Sequence, residues 1–255
     1  MAVSVDTVYQ RVLAILNKEQ RGYLAPVEYN LFANQAQLDI FEQYFYDLNQ
    51  FSRLPGNSTE YSDMVDILEE KISIFETNKV SDTEPDGSAS DAELIQYSNG
   101  YFTIPSDLYR LGAVLYNGVE AEHVNKNEYL YITSSPLSKP TNDFPIYTRD
   151  TNGVKIYGNS AIVSEDSTDP SNDQHNPLVS FNYIKKPAKV VWNYYEVNSD
   201  LLYNATGSVN FELHDSEETD LVIKILQLAG VSIKDPSVYQ VGSAEEAKDV
   251  QQEKA

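Results

Sequence analysis

The chain has no cysteine among its 255 residues, which excludes disulfides, cysteine-based zinc sites and a cysteine nucleophile. Basic residues are scarce: 18 Lys and Arg stand against 39 Asp and Glu, a formal net charge of −21. Nucleic-acid binders need clustered cations to displace phosphate counterions, so tight or sequence-specific DNA binding is not expected. Attachment to an anionic membrane is unfavourable for the same reason. No stretch approaches the roughly 20 apolar residues of a membrane helix. The start, Met1-Ala2-Val3-Ser4, lacks a basic region followed by an apolar run, so no signal peptide is expected. There is also no glycine-rich phosphate loop, no HExxH and no GxSxG. The three histidines, His123, His175 and His214, are far apart and lie in polar or loop-like contexts. Each reads as a surface or turn residue, although a triad assembled in space stays open.

What the chain does have is tyrosine, in 19 copies, within a composition that is 41% hydrophobic and suited to a globular fold. Tyr is apolar along its ring and polar at its tip, so it suits half-buried surfaces that partners recognise. Residues 4–19 read as a helix, with Ser4 as cap and Val5, Val8, Tyr9, Val12, Leu13 and Leu16 at helical spacing. Gly22 breaks that pattern, and Pro26 opens a second helix running to about Asn49. It carries Tyr29, Phe32, Ala36, Ile40, Phe41, Tyr44, Phe45 and Leu48, and Leu54-Pro55-Gly56 closes the region. A third helix fits Ser62–Phe75. Between Asn57 and Glu93 eleven acidic residues face two basic ones, and within it Thr77–Asp91 reads as an exposed loop.

From Leu94 to Leu213 the period changes to two. Candidate strands are Gly100–Ile104, Leu111–Tyr116, Tyr129–Ile132, Val154–Tyr157 and Leu178–Ile184, with turn signals at Asn117-Gly118 and Asn152-Gly153. Asp166–Asn176 is a polar excursion inside this block. Helix returns after Asp215, a candidate cap, with Glu217, Glu218 and Asp220 at the positive end of the dipole. Leu221, Val222, Ile225, Leu226 and Leu228 supply an apolar face. Gly230 marks a candidate bend, Asp235-Pro236 a restart, and Ser243–Ala255 a charged tail ordered against a partner. The expected fold is α+β, a helical bundle formed by N- and C-terminal helices with an inserted antiparallel β-rich domain. Its parts are residues 1–93, helical with an acidic loop at about 76–93, then 94–213, β-rich, then 214–255, helical again.

Chemistry-bearing clusters are few. Asp166, Asp169 and Asp173 lack the glycine and closing glutamate of an EF-hand, so they read as a solvated loop. A glycosidase needs two facing carboxylates, and 39 acids make counting uninformative. Lys185-Lys186-Pro187 with Lys189 is the one basic cluster, read either as a solvated strand end or as a contact to an acidic neighbouring subunit. Asn57-Ser58-Thr59 and Asn204-Ala205-Thr206 match the glycosylation pattern by coincidence.

Several long stretches are similar to virion proteins. VYQRVLAILNKEQRGYLAPVEYNLFANQAQLDIFEQYF resembles structural proteins of podovirus-like phages, including ring proteins of crAss-like phages. SPLSKPTNDFPIYTRDTNGVKIYG and FNYIKKPAKVVWNY look like their β block, and EETDLVIKILQLAGVSIKDPSVYQVGSAEEAKDVQQEKA is similar to their C-terminal helix. The resemblance implies a non-enzymatic head-to-tail connector: a subunit of a twelve-copy ring in the virion neck, joining portal and capsid to tail. It implies no cofactor, no metal and no membrane, with portal and other neck or tail proteins as partners. DNA would slide through the channel without specific binding, which acidic walls favour. Candidate contact residues are Phe41, Tyr44, Phe45, Lys185, Lys186, Trp192, Val238, Tyr239 and Val250. The alternative is a carbohydrate-binding or adhesin-like β module of a phage or bacterial surface assembly, its tyrosines stacking on sugars.

Overall fold

The structure, a computed structural model, describes residues 3–17, 24–52, 64–81, 95–158, 179–198 and 200–233, with the single positions 240, 243, 244 and 247. Among the described residues five helices are α1 (Val5–Asn17), α2 (Pro26–Phe51), α3 (Met64–Ser73), α4 (Lys126–Ser134) and α5 (Glu218–Ile233). The strands are β1 (Glu76–Val80), β2 (Tyr97–Ser98), β3 (Tyr101–Phe102), β4 (Leu108–Tyr116), β5 (Val119–His123), β6 (Ile146–Asp150), β7 (Gly153–Tyr157), β8 (Val179–Lys185), β9 (Tyr194–Val197) and β10 (Asp200–Tyr203). The fold is α+β. The chain forms two compact units, a helical one from residues 1–74 and 187–255 and a sheet one from residues 75–186. These divisions fall at 75 and 187, where periodicity alone suggested 94 and 214.

In the helical unit α2 packs against α3 and α5, and α1 against α5. Of the apolar positions that set the helical periods, Val5, Val8, Tyr9, Val12 and Leu16 on α1 and Tyr29, Ala36, Ile40, Phe41 and Tyr44 on α2 are buried, whereas Leu13, Phe32, Phe45 and Leu48 are half-buried. Pro26 occupies the first turn of α2, where its missing N–H costs nothing, and Glu28 accepts the Ala25 N–H at 3.3 Å. Ahead of α5, His214 caps a short 3₁₀ turn. The His214 Nδ1 accepts the Ser216 N–H at 3.2 Å, and Asp215–Glu217 form that turn, which leads into the helix. The helix α5 runs through Gly230 to Ile233. The restart at Asp235-Pro236 lies outside the described residues.

The sheet unit holds eight strands in the order β1-β8-β4-β5-β6-β7-β3-β2, antiparallel except for the β5–β6 pair. The sheet is curled: Ile95, which leads into β2, donates its N–H to the Val80 carbonyl of β1 at 2.7 Å. Its interior is one apolar cluster that includes Phe102, Val114, Tyr116, Val154, Ile156, Val179, Phe181 and Tyr183. Asn117 (φ 50°) and Gly118 (φ 81°) make the tight β4–β5 turn that the Asn-Gly pair predicts. Gly112 sits where the β4–β8 register shifts, and a Cβ there would lie 2.9 Å from the Asn182 carbonyl oxygen.

Three expectations for this unit are corrected. Glu76–Val80 is not loop: it pairs along its length with β8, and its polar sequence fits a strand at the edge of the sheet. Tyr129–Ile132 is not a strand but part of α4, because Glu128 Oε2 accepts the Asn125 N–H at 3.0 Å and starts a helix there. The Gly100–Ile104 strand shrinks to Tyr101–Phe102, since Asn99 (φ 53°) and Gly100 (φ 83°) form the turn to β2.

Candidate interaction surfaces

The residues singled out from sequence fall into four groups. Phe41, Tyr44 and Trp192 are buried inside the helical unit, so their side chains hold that unit together and are not presented on its surface. Phe45 is half-buried and meets Phe41 edge-on, with ring centroids 5.1 Å apart. Lys185 and Lys186 lie at the end of β8, where their N–H groups donate to the carbonyls of Phe75 (2.9 Å) and Asp107 (2.7 Å). The Lys186 side chain is exposed. Val238, Tyr239 and Val250 lie outside the described residues, as do His175 and Asp166–Asn176. His123 is exposed beside the Tyr147 ring, and Asn204 serves a turn by accepting the Thr206 N–H at 3.2 Å.

Trp192 is held by a polar lattice that sequence reasoning missed. Residues 188–192 run extended along α2, and three α2 amides take the place of a neighbouring strand. Asn34 receives the Val190 N–H on Oδ1 at 2.9 Å and donates to the Val190 carbonyl at 2.8 Å. Asn30 does the same for Trp192 at 2.8 and 3.2 Å. Gln37 donates to the Ala188 carbonyl at 2.8 Å and receives the Glu212 N–H at 3.1 Å. Spacings of four and three put these amides on one helix face, and the period of two along the extended segment matches them. On the other edge Val191 exchanges N–H and carbonyl bonds with Val209. The Asn30-x-x-x-Asn34-x-x-Gln37 pattern was the available signal. The aromatic content of the helix masks it.

The indole of Trp192 donates to Asp6 at 2.9 Å and packs on Tyr9, with centroids 4.3 Å apart, while Tyr194 stacks on it at 5.8 Å. Tyr29, beneath, donates its hydroxyl to the Val5 carbonyl at 3.0 Å. Burial first, then Tyr9 and Asp6, push the Tyr29 phenol far above its ordinary range. Lys71 and Glu217 pair at 2.6 Å, with the ammonium over the Tyr44 ring.

Large apolar side chains are left in water at three places. On α2, Val27 (63% exposed), Leu31 (66%) and Leu38 share one face. In the sheet unit α4 buries no residue, and Leu130 and Tyr131 on it, with Leu137 (98%) and Phe144 (77%) in the following loop, face solvent. On the β9–β10 hairpin, Tyr195 and Leu202 are cross-strand partners and both are exposed. Among the described residues no three His, Cys, Asp or Glu side chains converge to hold a metal ion, and no helix is long and apolar enough to cross a membrane. The chain matches no known family model and no curated protein.

Proposed function

We propose that this chain is a structural subunit of a multi-copy assembly. Within that class, the reading that best fits it is a ring subunit of the neck of a tailed bacteriophage, with the helical unit as the ring body. The carrying observation is the set of large apolar side chains left in water, above all Leu137, Tyr131 and Phe144 on one unit and Leu31 and Val27 on the other. Isolated exposed apolar residues are ordinary, but clusters of them mark surfaces that another molecule covers. The resemblance to phage ring proteins supports the neck assignment. The excess of carboxylates suits a conduit along which DNA moves without being gripped.

Mass photometry and electron microscopy of the purified chain, alone and with portal and tail components, test this reading. Closed rings or incorporation into a portal complex are expected, with no DNA retained at physiological salt. A chain that stays monomeric at every concentration and joins none of these components would refute it. Retention on a glycan array without assembly would favour the carbohydrate-binding alternative.

A further inference from the structure

We propose that the sheet unit carries a binding site for an organic ammonium group, in the gap where β5 leaves β4. The strand β5 pairs with β4 only from Val119 to Ala121; at Glu122 and His123 its partner is β6. Across the gap, Gly112 and Ala113 fall in the register shift of β4 and bring at most a methyl group. The sheet is interrupted there, so groups from both of its faces line one crevice of about 460 Å³: Glu120 and Glu122 from one face, His123 and Tyr147 from the other. A crevice of this size suits a small ligand or a single side chain.

Tyr147 is buried except for 7% of its surface, yet its hydroxyl has no hydrogen-bond partner among the described residues. A buried hydroxyl is ordinarily paired, and this side chain lines the crevice, where a ligand can reach it. Glu120 and Glu122 are exposed, about 7 Å apart along the strand, and neither carboxylate is paired among the described residues. Burial raises the Tyr147 phenol above its ordinary value, Arg149 opposes the rise and Glu120 adds to it, which puts the Glu120 charge within reach of that hydroxyl. Arg149 lies two residues beyond Tyr147 on β6 and outside the lining, so the described lining holds two carboxylates and no lysine or arginine. Such a crevice selects cations. A metal ion is disfavoured, because among the described residues no three His, Asp or Glu side chains converge. An alkylammonium needs less. Its N–H groups donate to the two carboxylates and to the Tyr147 oxygen, and its carbon chain lies against the His123 and Tyr147 rings, whose centroids are 5.1 Å apart.

Dansylcadaverine, a fluorescent alkylammonium, tests the site by anisotropy on the full-length chain. Saturable binding is expected, displaced by butylammonium and not by butanol. Glu120→Gln combined with Glu122→Gln removes charge and keeps shape, and should weaken binding about tenfold. Tyr147→Phe loses only the hydroxyl and should weaken it about threefold. Glu69→Gln combined with Glu70→Gln removes two exposed carboxylates of α3, so it measures attraction by net charge alone and should leave binding unchanged. Circular dichroism checks that each variant folds. Stronger displacement by Nα-acetyl-lysine amide than by spermidine would name a protein side chain as the occupant, and the reverse a free polyamine. Binding that the double change at 120 and 122 weakens no more than the α3 change does overturns the site, as does displacement by butanol. Displacement by magnesium ions but not by butylammonium overturns the ammonium assignment. An unaltered affinity in Tyr147→Phe overturns the part given to the hydroxyl.

Discussion

The two units satisfy an extended backbone in different ways. In the sheet unit a strand such as β8 finds strand backbones on both sides, so its hydrogen bonds are independent of side-chain identity. In the helical unit residues 188–192 have backbone on one side only, and Asn30, Asn34 and Gln37 stand in for the missing strand. A helix cannot offer free N–H and carbonyl groups along its flank, because its own ladder uses them. Primary amides can, since each carries a donor and an acceptor in the geometry of a peptide group. The helical unit is thus exposed to single substitutions at places where the sheet unit is not.

The largest expected effect tests whether the two cores are separate. Phe41 and Phe181 are both fully buried, one in each unit. Truncation of either to Ala should cost about 3–5 kcal/mol. Trp192 is the sole tryptophan and sits in the helical unit, so its fluorescence reports that unit alone. In urea titrations Phe41→Ala should move the fluorescence transition, while Phe181→Ala should move the far-ultraviolet dichroism and spare the fluorescence. Coincident shifts from both variants would merge the units into one cooperative block.

Next in size is the amide lattice. Asn34→Ala leaves the Val190 N–H and carbonyl without their partners and should cost about 2–3 kcal/mol by urea denaturation. Asn34→Asp keeps the acceptor but turns a carboxylate oxygen toward the Val190 carbonyl in place of the donor, so it should cost at least as much as the Ala variant. A smaller loss would show that the donor contributes little. The matching perturbation in the sheet unit is Gly112→Ala, whose new methyl meets the Asn182 carbonyl at 2.9 Å. It should cost about 1–2 kcal/mol by the same assay, because backbone on both sides resists displacement.

The same contrast explains what could be read from the sequence. The helices α1, α2 and α3 and strands β4, β7 and β8 were legible because burial imposes a period on apolar residues, and those elements bury one face or both. The strand β1 was missed because an edge strand is specified by pairing with β8 and needs no apolar alternation. The segment Tyr129–Ile132 misled because β-rich composition outweighed the Asn125-x-x-Glu128 cap. The division between buried and exposed large side chains was the least legible. Large aromatic side chains at Phe41, Tyr44 and Trp192 signal burial of some kind, and sequence cannot distinguish a unit's own core from a partner's surface. The exposed Leu137 and Phe144 sit in a loop with no period to mark them.

A pH series sharpens the comparison for the tyrosines of the helical core. The Tyr29 phenol is raised in the folded state chiefly by burial, so folding favours its neutral form. Its contribution is fully present below the ordinary tyrosine value of about 10 and is lost as pH rises beyond it, because the unfolded chain alone releases the proton. From this group stability should fall by about 1.4 kcal/mol per pH unit above about pH 10. Urea titrations of the chain and of Tyr29→Phe between pH 8 and 11 check this: the substituted chain should show a shallower decline.

The smallest expected effect on stability carries the most weight for function. Leu137 is almost wholly in water, so Leu137→Ser removes no packed atoms and should change unfolding free energy by less than about 0.5 kcal/mol. If the residue exists for a contact with another copy, the same variant should lose assembly under conditions where the parent chain forms it. Stability and association would then separate at this position, whereas at Phe41 they must fall together, because a subunit without its core presents no ordered surface. A Leu137→Ser chain that assembles as the parent does would remove this residue from the contact. Its exposure would then be that of an ordinary surface leucine, and Tyr131 and Phe144 would have to carry the contact.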